Sequence, residues 1–317
     1  MLLQRVRKEC GLWHRSKKAI TNTQQFHYKY FKNENTMKKI IYTVAIVLGF
    51  QASVLAQSQQ VTVHVPNSVK PLVEKWADEY SKTNAGVEFV FKAGKAQAGE
   101  KNSLSVVSNS ADGVNFARYA VLPVSAKESE AAGLIGRRLN AKRIKALFFV
   151  EDLFEDDEPT ATEQKIHIYT ATGQQSVSRF YAEHFDEVAA DYRGKKISGD
   201  DSYLTVAVSR DPWGVTINTL SNIFDLESRQ LKKDIALLPL DLDKQGEQVL
   251  ADGQLDEILT LLEHARYSEI PVGNAAFAYD HSNALLNDFV QWTLTNGAQY
   301  LHQYGLLKLP SKDLAQE

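Results

Sequence analysis

Of the 317 residues only one is cysteine, Cys10, and only two are methionine, Met1 and Met37. From Gln57 onward there is neither. That absence removes disulfides, zinc–thiolate sites and a cysteine nucleophile from the bulk of the chain. It also leaves no thiol there to carry a lipid. Long apolar runs are scarce too. The one that stands out is Ile40–Phe50, eleven residues, well short of the roughly 20 that a membrane span requires. Lys38 and Lys39 precede it and Val54-Leu55-Ala56 follows. A basic start, a short apolar stretch and a small-residue cut site together predict a secretory signal peptide over 37–56, cleaved after Ala56. Residues 1–36 hold eight Lys/Arg against two Glu, without apolar periodicity. They read as an upstream extension, with Met37 as the working start.

Positive charge is what the remainder lacks. Setting aside the ten Lys/Arg and two Glu of residues 1–56 leaves 26 basic and 37 acidic side chains, a net charge of −11. This acidic balance argues against nucleic acid and anionic membrane as partners. Export without an anchor predicts a soluble, monomeric periplasmic protein.

Catalytic signatures are missing as well. There is no Gly-x-Ser-x-Gly and no His-Glu-x-x-His. The histidines past the cut site (64, 167, 184, 264, 281 and 302) are scattered without metal-ligand spacing. No enzyme, metal or cofactor is expected. Gly94-Lys-Ala-Gln-Ala-Gly99 nearly spells a P-loop, but Glu100 stands where its lysine belongs and repels phosphate. Asp241-Leu-Asp243-Lys-Gln245-Gly246 opens like a calcium loop, yet Val249 and Asp252 fill its ninth and twelfth positions. Asp200-Asp201 are neighbours whose side chains point apart, which fits a capped loop before a helix at 202–208 better than a carboxylate pair.

What is present is alternation. Val61–Val65 reads as a strand, and Val69, Leu72, Val73, Trp76 and Tyr80 then share one helical face. Pro71 is tolerable in that first turn. Strands are predicted over 87–91, 103–107, 118–124, 165–169, 213–220, 234–240 and 273–279. Helices are predicted over 140–149, 175–185, 254–264 and 285–294. This pattern predicts an α/β protein with mostly parallel sheets. Parallel sheets take ligands at the carboxyl ends of their strands, where helix amides favour anions. Two strand-to-helix turns qualify: His64–Lys70, with Asn67 and Ser68, and Tyr169–Val177, with Thr172, Gly173, Gln174 and Ser176. Taken alone, either reads more simply as a plain N-cap.

Pro66-Asn-Ser-Val-Lys-Pro-Leu-Val-Glu-Lys-Trp-Ala-Asp-Glu-Tyr80 resembles the opening of the phosphate-type substrate-binding proteins of ABC transporters, which read Gly-Ala-Thr-Phe-Pro-x-Pro-Leu-x-x-Lys-Trp-x-x-x-Tyr. Leu139–Phe149, Thr170–Ser176, Asp211–Ile217 and the closing Asp288–Leu309 resemble later segments of that family in order, across about residues 60–310. The resemblance implies a type II periplasmic binding protein fold. Its lobes are expected over 60–120 plus 272–312 and over 125–268, joined by a two-strand hinge at 118–124 and 270–279. Residues 285–309 are expected to cover Trp76 and Tyr80. The implied function is capture of phosphate or a related small inorganic anion for a membrane ABC permease. Implied ligand residues are Asn67, Ser68, Lys95, Asn109, Arg118, Thr172, Gly173, Gln174 and Ser176. Departures are plain: the loop Lys92–Gly99 lacks the family's serines, and Ser108-Asn109-Ser110 lacks its acid. Arg118 reads more simply as a structural hinge residue. The alternative is a binding-protein fold that has lost its ligand, its cleft closed by side chains such as Gln174 and Gln175, acting as a secreted interaction module.

Overall fold

The computed structural model describes residues 59–94, 96–97, 99–149, 165–173 and 175–310. The expected signal peptide over 37–56, Lys95, Gln174 and the acidic run 151–158 lie outside them. In chain order the elements are β1 (Gln59–His64), α1 (Lys70–Thr83), β2 (Val87–Lys92), β3 (Ser103–Ser108), β4 (Val114–Ala126), α2 (Glu130–Ile135) and α3 (Ala141–Phe148). Then follow β5 (His167–Ala171), α4 (Val177–His184), β6 (Lys195–Ile197), α5 (Ser202–Ser209), β7 (Gly214–Thr219) and α6 (Leu220–Ile223). The chain continues through β8 (Ile235–Leu237), α7 (Lys244–Asp252), α8 (Leu255–His264), β9 (Val272–Tyr279) and α9 (Ala284–Thr295), ending in two 3₁₀ turns, Gly297–Tyr300 and His302–Tyr304.

The strands lie in the order β2-β1-β3-β9-β4-β7-β5-β6, with β8 also paired to β4. β4 is the reason the molecule has two halves. Val114–Ala120 pair with β9, whereas Val121–Ser125 pair with β7 and Val124–Ala126 with β8. One strand thus begins in one half and ends in the other. The outer pairs β1–β2, β1–β3, β5–β6 and β5–β7 are parallel. Every antiparallel pair involves β4 or β9, the strands flanking the passage of the chain between halves. Parallel order therefore belongs to the flanks, and the junction is antiparallel because the chain reverses there.

Packing in the first half follows from α1. Its stripe Leu72, Val73, Trp76, Ala77 and Tyr80 is buried. Trp76 sits edge-on to Phe116 at 5.2 Å between ring centroids, and its indole N–H donates to the Gly297 carbonyl at 3.0 Å. Tyr80 meets Phe289 and Trp292 of α9 at 5.3 and 5.9 Å. These edge-to-face contacts add to the burial itself. The C-terminal helix is thus the cover for a face that β1–β3 leave open. In the second half Phe148, Phe149, Tyr181, Phe185 and Tyr192 form the corresponding aromatic cluster.

Candidate functional site

The second strand-to-helix turn is built from local bonds. β5 ends at Ala171, and Ser176 caps α4: its Oγ accepts from the Arg179 N–H at 3.3 Å and donates to the Ala171 carbonyl at 3.3 Å. The Ser178 hydroxyl accepts from the Ala171 N–H at 2.9 Å. The Thr172 N–H is taken by Ile197 of β6. Thr172 and Gly173 are exposed and Ser176 is buried. The hydroxyl expected to reach a ligand is therefore engaged with its own turn.

The amide that opens α4 is also engaged, and by a carboxylate. Val177 N–H donates to Asp201 Oδ2 at 3.1 Å. Asp201 directly precedes α5 but forms no side-chain cap there; Asp200 does that work, accepting from the Ser202 N–H at 2.9 Å. The two adjacent acids point apart and serve different helices. The other oxygen of Asp201, Oδ1, is buried with no hydrogen-bond partner among the described residues. Burial pushes the carboxyl up to about 6, opposed by the Val177 N–H and reinforced by the charge of Asp200.

The first turn offers less to an anion. The N–H groups of Val69 and Lys70 both donate to the Pro66 carbonyl, and those of Leu72 and Val73 to Val69. Pro71 has none to give. Asn67 is exposed and Ser68 half-buried, and neither side chain makes a hydrogen bond among the described residues. Beside this turn, at the carboxyl ends of β1 and β2, Glu100 folds back over the strands. It accepts from Lys92 Nζ at 2.9 Å and from the Gln97 N–H at 3.3 Å, and meets His64 Nε2 at 2.9 Å. Lys92 and these neighbours hold the Glu100 carboxyl down at about 2. The near-miss P-loop is thus closed by the acid that disqualifies it. His64 is buried, and its Nδ1 finds no partner among the described residues.

Between the halves stands Tyr119 of β4. Its ring packs against Phe180 of α4 at 5.2 Å, and its hydroxyl accepts from Asn109 Nδ2 at 3.2 Å. Gly273 on β9 makes room for it: a Cβ there would lie 2.6 Å from Tyr119 Cζ and 2.9 Å from Phe180 Cζ. Asn109, in the left-handed region at φ 49°, also exchanges bonds with Asn274 through its own N–H and its Oδ1. Burial raises the Tyr119 hydroxyl to about 12, with Asp201 and Glu183 among the neighbours acting on it. Arg118, one residue earlier, donates from Nε to the Lys308 carbonyl at 2.8 Å.

Of the residues singled out from sequence, Asn109 and the turn bearing Ser176 are brought to opposite sides of one aromatic pair. Arg118 reaches the C-terminal segment. Asn67 and Ser68 stay at the β1 end. Tyr119 and Phe180 are positions that sequence reading passed over, and Asp201 reads from sequence only as part of a capped loop before α5. The first two resemble any core aromatics, and the partner of Asp201 lies 24 residues away. Asp243, from the calcium-like stretch, caps α7 through the Gly246 N–H at 2.7 Å. No group of three or more potential metal ligands occurs among the described residues.

No family model and no curated protein sequence matches the chain. Solved structures do. One is a Clostridium perfringens protein described as a phosphate ABC transporter substrate-binding protein with bound phosphate. It is 15% identical, with a TM-score of 0.53, covering 79% of this chain and 100% of that one. Another, an ABC-type phosphate transport receptor from Vibrio cholerae, is 12% identical with a TM-score of 0.52, covering 79% and 100%. The fold is the two-lobed α/β fold of type II periplasmic binding proteins.

Proposed function

We infer that the protein is a periplasmic solute-binding protein that captures a small oxyanion, phosphate or a close relative, between its halves for an ABC permease. The observation that carries this reading is the contact between the Val177 N–H and the Asp201 carboxylate. The start of α4 holds an oxygen anion already, as amides and helix dipole at such a position favour. Support also comes from the shared fold and from the signal-like stretch 37–56. Ser176 shapes the turn, and Asn109 sets Tyr119 against it. Among the described residues no helix is long and apolar enough to cross a membrane.

A second reading, a binding-protein fold that has given up its ligand and acts as a secreted interaction module, is favoured by a specific set of contacts. Tyr119 and Phe180 pack together between the halves, and the first-turn amides of α1 are consumed internally. Calorimetry separates the two. The protein, expressed from Met37 and recovered from the periplasm with Gln57 at its N-terminus, is titrated with phosphate, sulfate and molybdate. Under the first reading one of them binds, and at 100 times its dissociation constant it stabilises the fold by about 2.7 kcal/mol. Absence of heat at millimolar concentration leaves the interaction module. Cytoplasmic recovery with Met1 intact would remove the export that both readings share.

A further inference from the structure

The carboxylate at α4 is held in an unusual way. A surface acid at a helix start is ordinarily satisfied on both oxygens by amides or water. Asp201 has one bond, at 3.1 Å, while its second oxygen is buried and unpartnered among the described residues. A buried acceptor without a partner is costly. No cation pairs with Asp201 among the described residues. Asp200 beside it repels it, Tyr119 across from it carries a hydroxyl, and on α4 Arg179 is spent on Glu183 at 2.8 Å. The bond to Val177 is therefore a weak hold on a group that the environment disfavours as an anion.

We propose that Asp201 is a built-in occupant of the α4 anion position, a specificity-determining carboxylate that excludes oxyanions from Val177 while it is ionised and stays there. The proposal rests on the oxyanion reading of that turn and adds what governs it. An entering oxyanion takes the Val177 N–H, and Asp201 leaves it or becomes neutral. Because burial pushes the Asp201 carboxyl up to about 6, the obstacle weakens within a mildly acidic range. The neutral carboxyl no longer repels the incoming charge. An O–H on that group donates to an anion where a carboxylate only accepts.

The test uses the exported protein and two variants, Asp201→Asn, which keeps an acceptor without charge, and Asp201→Ala, which frees the amide. Thermal unfolding first shows that both fold. Sulfate, which stays doubly ionised throughout, and inorganic phosphate are then titrated calorimetrically. At about pH 8 both variants should bind sulfate about tenfold more tightly than the parent, the scale of one hydrogen bond to a charged group. The parent should approach them as the pH falls through about 6. Equal affinity in all three proteins at about pH 8 overturns the proposal. If none of the three binds any oxyanion, the oxyanion reading itself is lost, and the amide resonance of Val177 then decides for Asp201. A resonance that shifts as Asp201 titrates keeps the carboxylate in place as an occupant. One that does not shift removes it.

Discussion

At the scale of single residues, two acids of this molecule take up donors at the ends of strands and at a helix start. Glu100 takes up Lys92 and the Gln97 amide at the β1–β2 end, and Asp201 takes up Val177 at α4. The two differ in energetic sign. Glu100 gathers donors, so its carboxyl is held low, and its contribution is present above the ordinary carboxylate range and lost as the pH falls towards about 2. Asp201 is raised to about 6, first by burial. A raised carboxyl stabilises the fold fully below its unfolded pKa of roughly 4 and loses that contribution as the pH rises through the folded value. Asp201→Asn should therefore be more stable than the parent at about pH 8, by up to about 3 kcal/mol, with the gain vanishing below about pH 4. Urea unfolding at the two pH values measures it; an equal change at both would mean that the carboxyl is not raised. The adjacent pair shows what a sequence does and does not disclose. Asp200 capping Ser202 is a contact two residues long and was readable as a capped loop. Asp201 reaching Val177 depends on the pairing of β5 with β6, which brings together the loops that follow the two strands and which no local pattern encodes.

Among the elements, those with a strong apolar period were legible nearly to their ends. α1, β2, β3, β9 and α9 stand where the spacing predicts them, and Asn140 caps α3 by accepting from the Arg143 N–H at 3.0 Å. The elements that escaped notice were mostly short: α2, β6 and α6 span six, three and four residues, too few for a period to emerge. α7 was hidden by its likeness to a calcium loop. The helix at α4 begins two residues later than the pattern suggests, because Ser176 and not an earlier residue supplies the cap. That gives the turn a measurable property. Ser176→Ala should cost about 1 kcal/mol of stability through the lost cap, whereas Ser68→Ala, whose hydroxyl bonds nothing described, should cost far less. Chemical denaturation of the two variants compares them; equal costs would place Ser176 outside the cap. Trp76→Ala belongs to the same scale, since it removes the wedge between α1, β4 and the Gly297 turn. A loss of about 3–5 kcal/mol is expected, and a loss below 1 kcal/mol would show that α9 does not need that wedge.

For the whole molecule the question is whether the halves move. β4 and the return of the chain between α8 and β9 would by themselves make a supple joint, but the C-terminal segment lies across β4. The N–H and carbonyl of Arg118 are both bonded to Leu307, at 2.9 and 2.8 Å. From α8, Glu263 accepts from the Lys308 N–H and meets His302 Nε2, each at 2.7 Å. Arg229 donates to the carbonyls of His302 and Gln303 at 2.8 and 3.3 Å. Gly305, in the left-handed region at φ 72°, lets the chain press on Ser221 of α6. A segment anchored beneath Trp76 at Gly297 thus ends bonded to the other half. Hinge closure around a solute needs the two halves to separate and return, and these bonds oppose separation. Their net worth is modest, because several are exposed and each also has a partner in water. Removing two of the anchors, Arg229→Ala with Glu263→Ala, should leave both cores intact while loosening the strap. Hydrogen exchange at the Leu307 and Arg118 amides should quicken, and small-angle scattering should report a larger radius of gyration. Unchanged scattering together with unchanged exchange would mean that β4 and the Tyr119–Phe180 contact hold the halves by themselves. The strap would then be a consequence of the packing of the halves and not a cause of it.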